Sequence, residues 1–243
     1  MISYDTTIFE KDLQSLGIQL EQHQIEQFMT YYEMLVEKNK VMNLTAITAF
    51  DDVMKKHFID SLSLCKKYSL HYRLKVLDLG TGAGFPGIPL KIAFPFLNIT
   101  LVDSLNKRVL FLQEVIDGLG LENIRAVHGR AEDLARDAAY REQFDLCVSR
   151  AVANLSTLSE YCLPFVKVGG SFVAYKADKA EEEMKQAKKA VELLGGKFKE
   201  DSQVEFYLPD SDMYRSLVSI YKNAVTPKKF PRKAGLPSKE PLH

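Results

Sequence analysis

The chain predicts an α/β fold: an open, mostly parallel sheet with helices on both faces, a small helical region in front of it and a basic tail behind. Three observations carry this. Short β-rich runs alternate with helical patterns from residue 74 onward, which implies parallel strands joined by right-handed crossovers. The apolar run Val76-Leu77-Asp78-Leu79 leads into the glycine-rich turn Gly80-Thr81-Gly82-Ala83-Gly84 and then a helix start. Before residue 74 the apolar positions follow helical spacing and no strand signal appears.

Ile25, Phe28, Met29, Tyr32, Leu35 and Val36 share one helix face between Gln19 and Asn43, the spacing of an amphipathic helix. A second helix is expected over 51–68, with Asp51 and Asp52 suiting the positive end of its dipole. Strands are expected at 75–79, 99–102, 124–127, 144–148 and 171–175. Helices are expected at 87–94, 107–119, 131–137, 155–166 and 177–194, the last closed by Gly195-Gly196. The runs 204–208 and 217–221 have no helical pattern between them and are expected to pair antiparallel. From Thr226 to Lys239 the chain is rich in Pro and Lys/Arg. Proline blocks helix and removes ladder donors, so this reads as an extended basic tail. The expected division is a helical domain over 1–69, an α/β domain over 70–225 and the tail over 226–243.

The 243 residues suffice for one well-cored domain with a small addition. Lys plus Arg and Asp plus Glu both number 32, a zero net charge that argues against a strongly basic nucleic-acid binder except where the tail concentrates charge. Cys65, Cys147 and Cys162 are odd in number and form no C-x-x-C pair. They read as reduced thiols of a cytoplasmic protein, with no metal site. No stretch has the order of a signal peptide or the length of a membrane span.

Ligands of open α/β sheets bind beyond the carboxyl ends of the strands. There the sequence places Gly80, Gly82 and Gly84 after the first strand and Asp103 at the end of the second. His128-Gly129-Arg130-Ala131-Glu132 follows the third strand, and Ser149-Arg150 the fourth. Asp103 stands at the offset where an acid commonly takes ribose hydroxyls. Gly82-x-Gly84-x-x-Gly87 formally matches a dinucleotide fingerprint, so NAD competes. Asp78, just ahead of the turn, would repel a pyrophosphate and suits a cofactor carrying a cation. Pro86, at a first-turn position, moves Gly87 into the helix. These residues favour S-adenosylmethionine. Two local roles stay open: Asp78 capping nearby backbone N–H groups, and Asp103 capping the helix that starts near Asn106.

Four segments, residues 78–87, Val102-Asp103-Ser104-Leu105-Asn106-Lys107-Arg108, Gly129-Arg130-Ala131-Glu132 and Ser149-Arg150-Ala151-Val152-Ala153, closely resemble the glucose-inhibited division protein B family. Met42-Asn43-Leu44-Thr45-Ala46-Ile47, Lys56-His57-Phe58-Ile59-Asp60-Ser61 and the tail extend the likeness over nearly the whole chain. Lys38 and Ser149 depart from the pattern, standing where relatives often carry tryptophan and alanine. The resemblance implies a Rossmann-like, class I S-adenosylmethionine-dependent methyltransferase that modifies N7 of a guanine in 16S ribosomal RNA. It implies a monomer whose partner is that RNA or the small ribosomal subunit, with no membrane involved. Gly80, Gly82, Phe85, Ala131, Glu132 and Arg150 would contact the cofactor, and Asp103 would hold the ribose. Lys228, Lys229, Arg232 and Lys233 would meet phosphates, with Phe230 stacking on a base. The chemistry agrees: N7 has a free lone pair, so no general base is needed. The chain also lacks the Asn/Asp-Pro-Pro-aromatic and Pro-Cys motifs of other base methylations. Asp60 and His57 are candidates for assisting the cationic product. Truncation after Asn223 is expected to spare cofactor binding.

Overall fold

The computed structural model describes residues 4–150 and 153–242; Ala151 and Val152, part of the fourth motif, lie outside the described residues. Five parallel strands form the core of the sheet: β1 (Lys75–Leu79), β2 (Asn98–Asp103), β3 (Ile124–His128), β4 (Phe144–Ser149) and β5 (Val166–Lys176). Three antiparallel strands extend it: β6 (Gly196–Lys197), β7 (Gln203–Tyr207) and β8 (Tyr214–Lys222). Among the described residues the order is β3-β2-β1-β4-β5-β8-β6, with β7 also pairing β8. Chain direction across the sheet reverses between β1 and β4. That is the switch point at which a crevice opens.

Alternation along the strands divides the interior into two layers. Val76, Ile99, Leu101, Leu146, Val148 and Val173 face one side. Helices α1 (Thr7–Ser15) and α2 (Gln22–Met42) cover that side with α5 (Gly87–Ala93) and α6 (Asn106–Gly118). So does a helical run made of α3 (Phe50–Val53), a π turn (Met54–Ile59), α4 (Asp60–Leu62) and a 3₁₀ turn (Ser63–Lys66). Leu77, Leu79, Val102, Cys147, Phe172 and Ala174 face the other side, under α7 (Ala131–Leu134), α8 (Leu155–Cys162) and α9 (Ala180–Leu193). With both faces covered, the parallel strands read as near-continuous apolar runs.

The N-terminal helices share their core with the sheet. Gln24 Nε2 donates to Ile92 O at 2.6 Å, and Gln27 Nε2 donates to Leu119 O at 2.8 Å. Lys38 pairs with Glu114 at 2.6 Å, joining α2 to α6.

Three boundaries differ from the sequence reading. The helix expected over 155–166 stops at Cys162, because Pro164 has no N–H to continue it. β5 therefore starts at Val166, ahead of Gly169-Gly170, which hide its first half from propensity. The tail does not extend freely. It folds back under α8, with Phe230 only 5% exposed in the second core layer, and ends in the short α10 (Leu236–Lys239).

Candidate functional site

The glycine turn after β1 takes the shape the sequence implied. Gly80, Gly82 and Gly84 have φ of 74°, 61° and 110°, where a side chain is strained. At Gly84 a Cβ would also stand 2.7 Å from Tyr31 Oη. Tyr31 is fully buried in α2 and donates to Ala83 O at 2.6 Å, so the N-terminal helices brace the loop. Nothing in the sequence marks Tyr31, because its apolar neighbours along the chain look like ordinary core.

Asp78 is held off the surface of the cleft. Strand alternation turns it toward α5, where it is 0% exposed and absent from the cleft lining. Its Oδ2 accepts from Gly87 N at 2.8 Å and from Thr81 Oγ1 at 2.6 Å. The capping role left open in the sequence is the one observed. Burial pushes this carboxyl up to about 6, against the pull of Thr81 and Gly87.

At the switch point lies a cleft of about 490 Å³. Gly80 lines it from the end of β1 and Asp103 from the end of β2. Ala131 and Glu132 line it from the first turn of α7, and Ser149 from β4. Asp103 is nearly buried and held from three sides. Its Oδ1 accepts from Leu105 N at 2.9 Å; its Oδ2 accepts from Gly82 N at 3.0 Å and Arg108 Nη1 at 3.4 Å. Gly82 thus touches the carboxylate, and it is absent from the lining. Glu132 Oε1 accepts from Gly235 N at 2.8 Å. Arg108, Tyr161 and Gly235 also line the cleft. Sequence reasoning passes over Tyr161 and Gly235; nothing local marks Gly235, whose partner Glu132 lies 103 positions away.

Phe85 and Arg150 fall outside this lining and form a second cluster beside it. Arg150 Cζ sits 5.0 Å from the Phe85 ring centroid, and the His57 ring stacks on the same ring at 4.5 Å. Arg150 Nη1 donates to Asp60 Oδ2 at 3.0 Å and to Lys56 O at 3.2 Å; Nη2 meets His57 Nδ1 at 3.1 Å. Lys56 O, which accepts from Arg150, lies within the π turn. Asp60 also accepts from Arg215 Nε at 2.8 Å, and His57 Nε2 lies 2.8 Å from Thr45 Oγ1. Burial, then the Arg150 charge, lowers His57 to about 4. The imidazole is therefore neutral near pH 7. With Arg150 donating to Nδ1, its proton rests on Nε2 toward Thr45. Asp60 and His57 are thus tied into one network with Arg150, Arg215 and Thr45.

The tail residues divide. Lys228, Lys229 and Lys233 are exposed. Phe230 is buried and offers no face to a base. Arg232 is half-buried and forks onto Glu160, with Nε at 3.0 Å from Oε1 and Nη2 at 2.7 Å from Oε2. Among the described residues no helix is long and apolar enough to cross a membrane.

Several known proteins are similar to this chain in fold or in sequence. A SAM dependent methyltransferase from Aquifex aeolicus superposes with a TM-score of 0.50 over 70% of this chain and 92% of its own, at 18% identity. The M. jannaschii TYW2 in complex with AdoMet has a TM-score of 0.50 at 17% identity, over 63% of this chain and 70% of its own. At such identities the likeness is one of fold. Sequence similarity reaches much further. Ribosomal RNA small subunit methyltransferase G of Lachnoclostridium phytofermentans is 56% identical over 238 residues, 98% of each chain. Its namesake in Alkaliphilus metalliredigens is 51% identical over 235 residues, 97% of this chain and 98% of its own. The family model GidB, described as rRNA small subunit methyltransferase G, matches residues 24–207. The chain belongs to the GidB family of rRNA small subunit methyltransferases.

Proposed function

We propose that the protein transfers a methyl group from S-adenosylmethionine to N7 of a guanine in 16S ribosomal RNA. Methyl transfer to small-subunit ribosomal RNA follows from the family; the base, the atom and the site residues are this reading's own. The cleft at the switch point carries the cofactor assignment. There a glycine turn meets two nearly buried carboxylates, Asp103 at the end of β2 and Glu132 in the first turn of α7. Asp103 keeps acceptor capacity for ribose hydroxyls and Glu132 for an adenosine donor. Gly80 lets backbone approach closely, and Ala131 packs beside them. When bound, the cofactor supplies an electrophilic methyl on a sulfonium.

The chain's contribution is alignment. Guanine N7 attacks with a lone pair and loses no proton, so proximity and orientation supply the acceleration. Arg150 follows the cleft residue Ser149 directly along the chain and so sets the Phe85–His57–Arg150 cluster beside the cleft. Its neutral imidazole takes no proton in the working pH range. Phe85 and Arg150 are proposed to border the methionine end of the cofactor and Gly82 to hold Asp103 toward it. Lys228, Lys229 and Lys233 are proposed to meet RNA phosphates. Arg232 contributes by anchoring their segment, and Phe230 by burying it.

The test is methylation of naked 16S RNA against assembled small subunits, with the product mapped by chemistry specific for N7-methylguanosine. Methyl incorporation at another atom would overturn the N7 assignment. Cofactor uptake without any incorporation would favour a non-catalytic assembly factor.

A further inference from the structure

We propose that the C-terminal segment 226–242 is a structural wall of the cofactor cleft, and that Gly235 is a positioning residue for Glu132. The proposal rests on the cleft being the S-adenosylmethionine site. The segment is pinned at several points. Arg141 Nη2 donates to Thr226 O at 2.8 Å and its Nη1 to Phe230 O at 3.0 Å. Arg232 presents its guanidinium and its backbone N–H to the fully buried Glu160. Thr157 Oγ1 donates to Pro237 O at 3.0 Å. Between the last two pins the chain turns at Gly235, whose φ of 81° is a conformation other residues adopt only with strain. That turn points the Gly235 N–H at Glu132 Oε1, 2.8 Å away, at the edge of the cleft both residues line.

A carboxylate with one oxygen tied to a fixed amide no longer rotates freely. Its second oxygen is then presented to the cleft, ready for a hydroxyl or amine donor of the adenosine. The free energy of ordering Glu132 is met by folding rather than by binding. Linkage requires the reciprocal effect: cofactor binding must stabilise the docked segment by the same amount. This reverses the expectation from sequence that the tail is dispensable for cofactor affinity.

The experiment uses S-adenosylhomocysteine and three forms: the full chain, Gly235→Pro, which removes the N–H, and a chain ending at Lys233. The shortened form keeps Phe230, Arg232, Lys228, Lys229 and Lys233. Calorimetry should show affinity weakened roughly tenfold in the shortened chain, the scale of one charge-assisted hydrogen bond, and at least as much in Gly235→Pro, whose fixed φ also undoes the turn. In turnover, the KM for S-adenosylmethionine should rise by a similar factor with kcat retained. In the unaltered chain, saturating S-adenosylhomocysteine should slow hydrogen exchange at the Gly235 amide. Unchanged affinity in folded variants overturns the proposal. So does unaltered exchange at Gly235, a measurement that stands even if a variant does not fold. Failure of the full chain to bind S-adenosylhomocysteine would instead overturn the cofactor assignment itself.

Discussion

Two carboxylates on adjacent strands show how environment assigns roles. Asp78 is sealed under α5 and caps it, whereas Asp103 lines the cleft. Asp103→Ala should weaken S-adenosylhomocysteine binding by about 1–3 kcal/mol, the cost of losing charge-assisted hydrogen bonds; calorimetry reads this directly. Half-buried His57 and buried Asp78 also contribute to the acid response. His57 falls from 6.5 to about 4 on folding, so the unfolded chain binds the extra proton and stability drops as pH falls through that window. Asp78 rises from 3.8 to about 6, so the folded chain binds the extra proton and stability gains as pH falls from 6 toward 3.8. The two oppose one another over most of the range. Denaturant melts from pH 7 to 5 should therefore show a steeper acid loss in Asp78→Asn than in the unaltered chain, and a shallower one in His57→Gln. Identical slopes in all three would remove both groups from the account.

Among the elements, the C-terminal segment changes most between sequence and structure. Its Pro and Lys content reads as a solvated arm, because composition does not reveal that Phe230 is buried in the second core layer or that Glu160 pairs with Arg232. Glu160 itself looks like any helix-face acid until the fold buries it. Removing one partner of a buried pair leaves an uncompensated charge, at a cost of about 3–5 kcal/mol. Arg232→Met should accordingly lower the unfolding midpoint far more than Lys233→Met, whose side chain is exposed. Truncation after Asn223, which deletes Phe230 and Arg232 together, should destabilise the whole fold and not only RNA engagement.

At the scale of the whole molecule, net charge is zero while Lys228, Lys229 and Lys233 gather on one segment bordering the cleft. Binding of ribosomal RNA should weaken with salt. Replacing these three lysines by alanine should flatten the log–log slope by about 0.7–0.9 for each phosphate that a lysine no longer neutralises. An unchanged slope would place the RNA surface elsewhere.

What the sequence determined was everything governed by local periodicity: the alternation of strands and helices, the glycine turn with its left-handed positions, the antiparallel β7–β8 pair and the acids at strand ends. These follow from neighbours along the chain, whose steric and apolar demands are written within a few residues. The tertiary structure alone decided which acid faces the cleft, that Tyr31 braces the glycine turn, that Arg150 binds Asp60 and His57, and that Gly235 reaches Glu132. Each depends on burial and on partners 52 to 103 positions apart. A side chain's charge state and its available hydrogen bonds come into being only when the layers close.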